Sequence, residues 1–442
     1  MEIIQFYDEG LAHASYAVIS GNEMAVIDPE RNPSKYLEAS GKHNAKIIAV
    51  IETHPHADFV SSHLEISEKT GADIYISKKY EAYFPHKTFD EGDELKIGNV
   101  LLKALNTPGH SPDSISVIIT DEFKKDHAIA SGDTVFVGDV GRPDLREKAG
   151  GITGKKEELA KAMFDTINNK YKILPDNLIL YPAHGAGSLC GKATSKERSS
   201  TIGKEKDTNY AFQINDEAEF VHALIKDQPV VPKYFEYNVE LNRKGAPYFL
   251  DSINSVPILE ELSKLNEEIL IVDTRVHQDY NNSHKNNSIN IPDGPKFETW
   301  LGLVISPSER FYLAAESSQK LDELLKRAAN IGYELNIEGA FVNDDKGDEK
   351  SSEFDLSKFK ENISEYTIVD LRNYSERNER VIFNDSVFIP LNELRDKSDL
   401  IPADKPIVVH CAAGTRSAIG QSIIEKYFTV PVYDLSEDVK EF

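Results

Sequence analysis

Over roughly the first 200 residues, short runs of β-type apolar residues alternate with polar stretches of helical character. The runs at 47–52, 73–77, 100–105 and 178–181 are examples. That alternation predicts an α/β arrangement. Several runs end at His, Pro, Asp or Gly, so reactive side chains collect where strands stop.

From about residue 255 a repeat takes over. Ile271-Val272-Asp273-Thr274-Arg275 recurs 97 positions later as Ile368-Val369-Asp370-Leu371-Arg372, and Ile291-Pro292 recurs 98 positions later as Ile389-Pro390. A third apolar run, 311–315, stands in register with 408–412, and an apolar-periodic helix follows each copy. Between the copies, 343–353 is rich in Asp, Lys, Gly and Ser and reads as a linker. Two related α/β units of roughly 90 residues each account for this pattern.

Length and composition bound the rest. A chain of 442 residues is too long for one ordinary core and predicts about three domains. Hydrophobic residues make up 40% and charged ones 28%, the profile of a globular protein, and no apolar run is long enough to span a bilayer. The start, Met1-Glu2-Ile3-Ile4-Gln5-Phe6-Tyr7-Asp8, lacks the basic region and apolar core of a secretory signal, so a cytoplasmic location without membrane association is expected. The net charge of −24 argues against a phosphate-backbone partner, and no nucleic acid is expected. The two cysteines, Cys190 and Cys411, exclude a disulfide framework; each thiol has to be judged as a possible reagent.

The densest chemical signal is Thr53-His54-Pro55-His56-Ala57-Asp58-Phe59, directly after an apolar run. Gly109-His110, Gly132-Asp133 and Ala183-His184 follow, each also placed just after a strand-like run. Imidazoles and carboxylates gathered at loop ends suit a divalent transition metal. Asp139 and Asp144 compete with Asp133 for a carboxylate role, and the apolar run at 128–130 before Gly132-Asp133 favours Asp133. His13, His63, His86 and His127 are expected in structural or surface roles.

The ordered set resembles the metallo-β-lactamase superfamily, whose motif is H-x-H-x-D-H followed by Gly-His, Gly-Asp and a final His. The resemblance covers about residues 1–205. Phe59 stands where the two-metal hydrolases of that superfamily place their third motif His, and a phenyl ring cannot donate to a metal. What remains suits two imidazoles and one carboxylate on a single iron(II), with positions left open for substrate and O₂. Within the superfamily this resembles the persulfide dioxygenases. That resemblance implies one Fe(II) per chain held by His54, His110 and Asp133, with His56, Asp58 and His184 orienting the ligands or the bound persulfide. It also implies that Arg142, in Gly141-Arg142-Pro143-Asp144, holds an anionic part of the thiol carrier; a solvated loop charge is the plain alternative. Cys190 lies six residues after His184, where it either handles sulfur or serves as a small buried hydrophobe.

The second reagent is Cys411. His410-Cys411-Ala412-Ala413-Gly414-Thr415-Arg416-Ser417 follows a strand-like Pro406-Ile407-Val408-Val409 and precedes a helix. A thiol there meets inward-pointing backbone N–H groups and the positive end of a helix dipole, which stabilise a thiolate or a persulfide anion. Arg416 adds fixed charge. The segment resembles a rhodanese domain over about 355–442. The rival, a Cys-based phosphatase loop, has five residues between Cys and Arg; here there are four, 412–415, which suits a single sulfur. In the first copy the 97-residue offset places Ala314 at the Cys411 position and Gln319 at the Arg416 position, implying an inactive pseudo-rhodanese over 255–342. Trp300 is expected in that domain's core.

The expected architecture is therefore α/β: a metallo-β-lactamase αββα sandwich (1–205), a connecting segment (206–254), the inactive rhodanese-like domain (255–342), a linker (343–354) and the active one (355–442). This order resembles bacterial persulfide dioxygenase–rhodanese fusions. The resemblance implies a low-molecular-weight thiol persulfide, O₂ and sulfite as partners, thiosulfate as product, and assembly into a homo-oligomer. Gly185-Ala186-Gly187-Ser188 replaces the aromatic residue that glutathione-using relatives carry after the last motif His, which argues against glutathione as the carrier. Ranked below are a zinc thioester hydrolase of the glyoxalase II type, a two-metal nuclease and a non-catalytic sulfur relay.

Overall fold

The computed structural model describes residues 1–145, 155–343, 347 and 349–442. Part of the expected linker, 344–346 and 348, lies outside them. The chain divides into two units: Met1–Ser252 with Ala329–Gly332, and Ile253–Ala328 with Tyr333–Phe442.

In the first unit, strands β1 (Glu2–Asp8), β2 (His13–Ser20), β3 (Glu23–Ile27), β4 (Lys46–Ile51), β5 (Asp73–Ile76) and β6 (Lys87–Thr88) form one six-stranded sheet. A second sheet of six runs β14-β13-β10-β9-β8-β7, from β7 (Glu94–Ile97), β8 (Val100–Asn106), β9 (Ile115–Thr120), β10 (Asp126–Gly132), β13 (Ile179–Pro182) and β14 (Ser200–Thr201). A small β11 (Val135–Phe136) and β12 (Asp139–Val140) pair stands apart.

The period of two along a strand explains the layering. In β2, Ala14, Tyr16 and Val18 enter a core shared with Leu102, Val117, Ala128 and Ala130 of the second sheet. Their neighbours Ala17 and Ile19 face Tyr36 and Ala39 of the helix Ser34–His43. In β10, Ile129 turns the other way and meets Met163, Phe212 and Phe220 from helices. Each sheet is thus buried on both faces, and β2 is buried along its whole length. The result is the expected αββα sandwich.

The segment 206–254 is more than a connection. It folds into helices, including Glu217–Ile225, Tyr234–Lys244 and Phe249–Asn254, and its Phe212, Phe220 and Leu224 belong to the second-sheet core.

The second unit repeats one topology twice. Parallel strands β15 (Leu270–Asp273), β16 (Ser288–Asn290), β17 (Phe311–Ala315) and β18 (Ile337–Val342) take the order β16-β15-β17-β18. Then β19 (Thr367–Asp370), β20 (Val387–Phe388), β21 (Ile407–His410) and β22 (Val432–Asp434) take the order β20-β19-β21-β22. The register corrects one expectation. Asp273 pairs with Ala314 and Asp370 with His410, an offset of 96 for this strand, so the residue at the Cys411 position is Ala315, not Ala314. The helices Ser318–Asn330 and Thr415–Glu425 keep the offset of 97, which leaves Gln319 opposite Arg416. The loop between strand and helix is one residue shorter in the first copy. Trp300 is only half-buried, while Phe297, Leu301 and Val304 of the same helix fill the core.

Candidate functional site

Four strand ends build the first site. β4 delivers Glu52 to Asp58, β8 leads to His110, β10 to Asp133 and β13 to His184. His54, His110 and Asp133 are buried, and each offers a ligand atom within 4.8 Å of the others. Nε2 of His54 and of His110 lie 3.9 and 3.6 Å from Asp133 Oδ2.

The ring orientations are set from behind. Thr53 Oγ1 donates to Asp28 Oδ2 at 2.8 Å, so its lone pair accepts from His54 Nδ1–H, 3.1 Å away. His184 donates through Nδ1 to the Ala12 carbonyl at 3.2 Å. Both rings then present a bare Nε2 to the site, the tautomer a metal requires. Nε2 of His184 and the carboxylate oxygens of Asp58 and Asp133 are buried without an N–H or O–H donor. Such a cluster is costly unless a cation compensates it, and imidazole with carboxylate fits a divalent transition ion. Burial works to raise the Asp133 carboxyl, but the neighbouring His184 and His110 hold it below its usual range.

Two glycines allow this closeness. Gly132 sits at φ +53°, and a Cβ there would come 2.5 Å from Thr53 Oγ1. At Gly141 a Cβ would meet the Asp133 carbonyl oxygen and lie 2.9 Å from His110 Cβ.

The remaining candidates separate. His56 turns Nε2 between Asp28 Oδ1 (3.0 Å) and Glu52 Oε2 (3.2 Å), leaving only Nδ1 for a bound molecule. Despite burial, those two carboxylates push the His56 imidazole well above its ordinary range. Asp58 Oδ2 lies 3.2 Å from His184 Nε2, whose distance to Asp133 Oδ1 is 3.4 Å. Cys190 is buried beside them and completes a group with Asp58 and His184. Burial, then the charges of Asp58 and Asp133, push its thiol well above the ordinary range. Cys190 is thus held as a thiol at the edge of the site.

Arg142 is neither a solvated charge nor a free anion clamp. Its Nε and Nη2 donate to Asp144 at 2.6 and 2.7 Å and Nη1 donates to the Leu189 carbonyl, while its backbone N–H donates to the Cys190 carbonyl. It ties its own loop to the loop of Cys190. Asp139 is equally occupied, accepting from the backbone N–H groups of Val140, Lys192 and Ala193. His13 and His63 are buried and His86 and His127 exposed.

Three contributors escaped the sequence reading. Asp28 and Glu52 brace His56; each is an acid directly after an apolar run, the same signal that marked Asp133. Asn242 left no such signal. From its helix it accepts from Ser61 N–H and donates to the carbonyls of His56 and Phe59, each at 2.8 Å.

The metallo-beta-lactamase superfamily model matches residues 8–184, and the rhodanese-like domain model matches 355–442. A crystal structure of a metallo-beta-lactamase from Staphylococcus aureus is 34% identical, with a TM-score of 0.70, and the match covers 77% of this chain and 99% of that one. This chain belongs to the metallo-beta-lactamase superfamily. Other members differ in chemistry. The probable metallo-hydrolase YqgX of Bacillus subtilis is 27% identical over 191 residues, 39% of this chain and 84% of that protein. The mitochondrial persulfide dioxygenase ETHE1 of Bos taurus is 25% identical over 201 residues, 45% of this chain and 69% of that protein. A cytoplasmic hydroxyacylglutathione hydrolase of Arabidopsis thaliana is 31% identical over 132 residues, 29% of this chain and 51% of that protein. A metallo-beta-lactamase domain thus carries a C-terminal rhodanese-like domain, as the sequence led one to expect.

In that domain Cys411 follows β21, buried at the mouth of the loop. Gly414, at φ +99°, donates its backbone N–H to Sγ at 3.1 Å, and Ser417 Oγ lies 3.5 Å from Sγ. Arg416 pairs with Glu376 at 2.5 and 2.7 Å. Asp370 grips Arg372 behind β19 as Asp273 grips Arg275 in the first copy. Among the described residues no helix is long and apolar enough to cross a membrane.

Proposed function

We propose that this chain is a non-haem iron(II) persulfide dioxygenase, with one iron per chain, coupled to a sulfurtransferase at Cys411. The observation that carries the reading is the trio His54, His110 and Asp133, whose ligand atoms lie within 4.8 Å of one another, in a motif where Phe59 replaces the third histidine. Iron(II) held there supplies the redox chemistry that O₂ needs to react with a persulfide sulfur. Asp133 brings the charge, and Thr53 fixes the His54 tautomer. Asp58, His184 and the thiol of Cys190 line the side on which a small persulfide would lie. In the balanced reaction the S–S bond of the persulfide breaks, O₂ and water supply the three oxygens of sulfite, and the carrier thiol is released. Cys411 takes the outer sulfur of a second persulfide, again releasing a thiol. It gives that sulfur to sulfite, forming thiosulfate and regenerating the thiolate. The middle domain, with Ala315 in place of the nucleophile, acts as a pseudo-rhodanese.

A second reading has one specific support. Asp58, His184 and Cys190 form another buried group able to hold an ion, which suits a two-metal thioester hydrolase of the glyoxalase II type. Anaerobic purification with metal analysis, followed by oxygen consumption on a thiol persulfide, separates the two. One iron per chain with persulfide-dependent O₂ uptake supports the dioxygenase. Two zinc ions and no O₂ uptake overturn it.

A further inference from the structure

The domain that lacks the nucleophile aims one side chain at the domain that has it. His277 opens the helix His277–Asn282. Its Nδ1 lies 3.2 Å from Asn290 Oδ1, and its Nε2 lies 3.0 Å from Gln421 Oε1. Both amides are fixed by their other ends. Asn290 Nδ2 donates to the carbonyls of Asp273 and Arg275, and Gln421 Nε2 donates to Glu425 Oε1 and the Val432 carbonyl. Two oxygens therefore face the two ring nitrogens, each placed to accept from an imidazole N–H. The Asn281 amide also approaches Nε2, at 3.1 Å.

Beyond Nε2, at 3.6 Å, is Asp434 Oδ2. Asp434 Oδ1 accepts the Ser436 backbone N–H at 2.7 Å, and the carboxylate shares a hydrogen bond with Ser417. Ser417 is the residue whose Oγ lies 3.5 Å from Cys411 Sγ. Ser436 backs Gly414, where a Cβ would come 3.0 Å from its Oγ. The charged groups facing Asp434 are His277 and, less favourably, Asp438. His277 is otherwise surrounded by the neutral amides of Asn281, Asn290 and Gln421.

We propose that His277, supplied by the copy without a nucleophile, is a positioning residue for Cys411, acting through Asp434 and Ser417. In its protonated form the ring, 3.6 Å from Asp434, balances a buried carboxylate that stands two contacts from the sulfur. Without it, forming a negative sulfur at Cys411 is harder. The inference rests on the reading of Cys411 as the sulfur carrier.

The test follows alkylation of Cys411 by iodoacetamide across pH in the full chain, with the labelled peptide resolved from Cys190 by mass. His277→Ala should move the midpoint upward by about one pH unit, read below the midpoint as roughly tenfold slower labelling. His277→Gln, which keeps an amide at the interface but no charge, should do the same and carries the test if the alanine variant does not fold. In an Asp434→Asn background the same changes should add nothing, because the charge they balance is gone. A profile coincident with wild type in either His277 variant overturns the proposal, as does an equal shift with and without Asp434. Wild-type protein that takes no sulfur from a persulfide onto Cys411 refutes the sulfurtransferase reading instead, and the alkylation profile reports on His277 independently.

Discussion

The ring of Phe59 lies against that of His56, centroids 4.3 Å apart and planes tilted by 32°, and against that of His13, centroids 4.0 Å apart. Carbon thus packs against His56 and His13 at the motif position where the two-metal hydrolases carry a further histidine. Phe59→His should restore that donor. Metal analysis after reconstitution with zinc should then rise from one ion per chain towards two. A ratio that stays at one would show that the phenyl ring is not what limits occupancy.

Asn242 makes three hydrogen bonds to the backbone of the motif loop from a helix far along the chain. Asn242→Ala leaves the carbonyls of His56 and Phe59 and the Ser61 N–H buried without their partner, at a cost of about 3 kcal/mol. The first unit should unfold at a lower temperature, and bound metal should fall with it. Unchanged metal content in a folded variant would mean that the loop holds its shape without this clamp.

Cys411→Ser removes the sulfur carrier and changes no side chain of the first unit's site. Persulfide-dependent oxygen uptake should continue at the wild-type rate while the product changes from thiosulfate to sulfite. Chromatography of the sulfur anions decides it; an unchanged thiosulfate yield would falsify the role given to Cys411.

Glu425 lies on the helix that begins beside Cys411, and burial raises its carboxyl to about 7, against hydrogen bonds from Gln421 and Ser351. The folded chain therefore holds a proton that the unfolded chain has released, from the ordinary 4.5 up to about 7. Its contribution is favourable at acid pH and is lost as pH rises through that window. Glu425→Gln, able to keep both hydrogen bonds, should remove this decline and stabilise the second unit at pH 8 by at most about 3 kcal/mol. Thermal unfolding from pH 5 to 8 checks it; parallel curves for variant and wild type would exclude Glu425 as the cause.

Much of this was legible because the chemistry sits at strand ends. His54, His110, Asp133 and His184 each follow an apolar run, and the structure brings these four together. The repeat was visible for the same reason: Asp273-x-Arg275 and Asp370-x-Arg372 each close a loop onto their own strand through a two-residue, locally encoded contact. Register was less legible. The one-residue difference that puts Ala315 opposite Cys411 arises in a loop, where length varies without disturbing the apolar pattern.

By itself, the sequence determined which residue types end each strand, that one copy keeps a thiol and the other does not, and that a phenyl ring stands where a ligand would be needed. These are local properties, carried by periodicity and by side-chain chemistry. Only the tertiary structure decided how those side chains are spent. Arg142 is consumed by Asp144, Nε2 of His56 is held between Asp28 and Glu52, and Asn242 and His277 reach sites that their own neighbourhoods do not announce. A buried hydrogen bond is satisfied by whatever the fold brings within about 3 Å, and sequence distance plays no part in that.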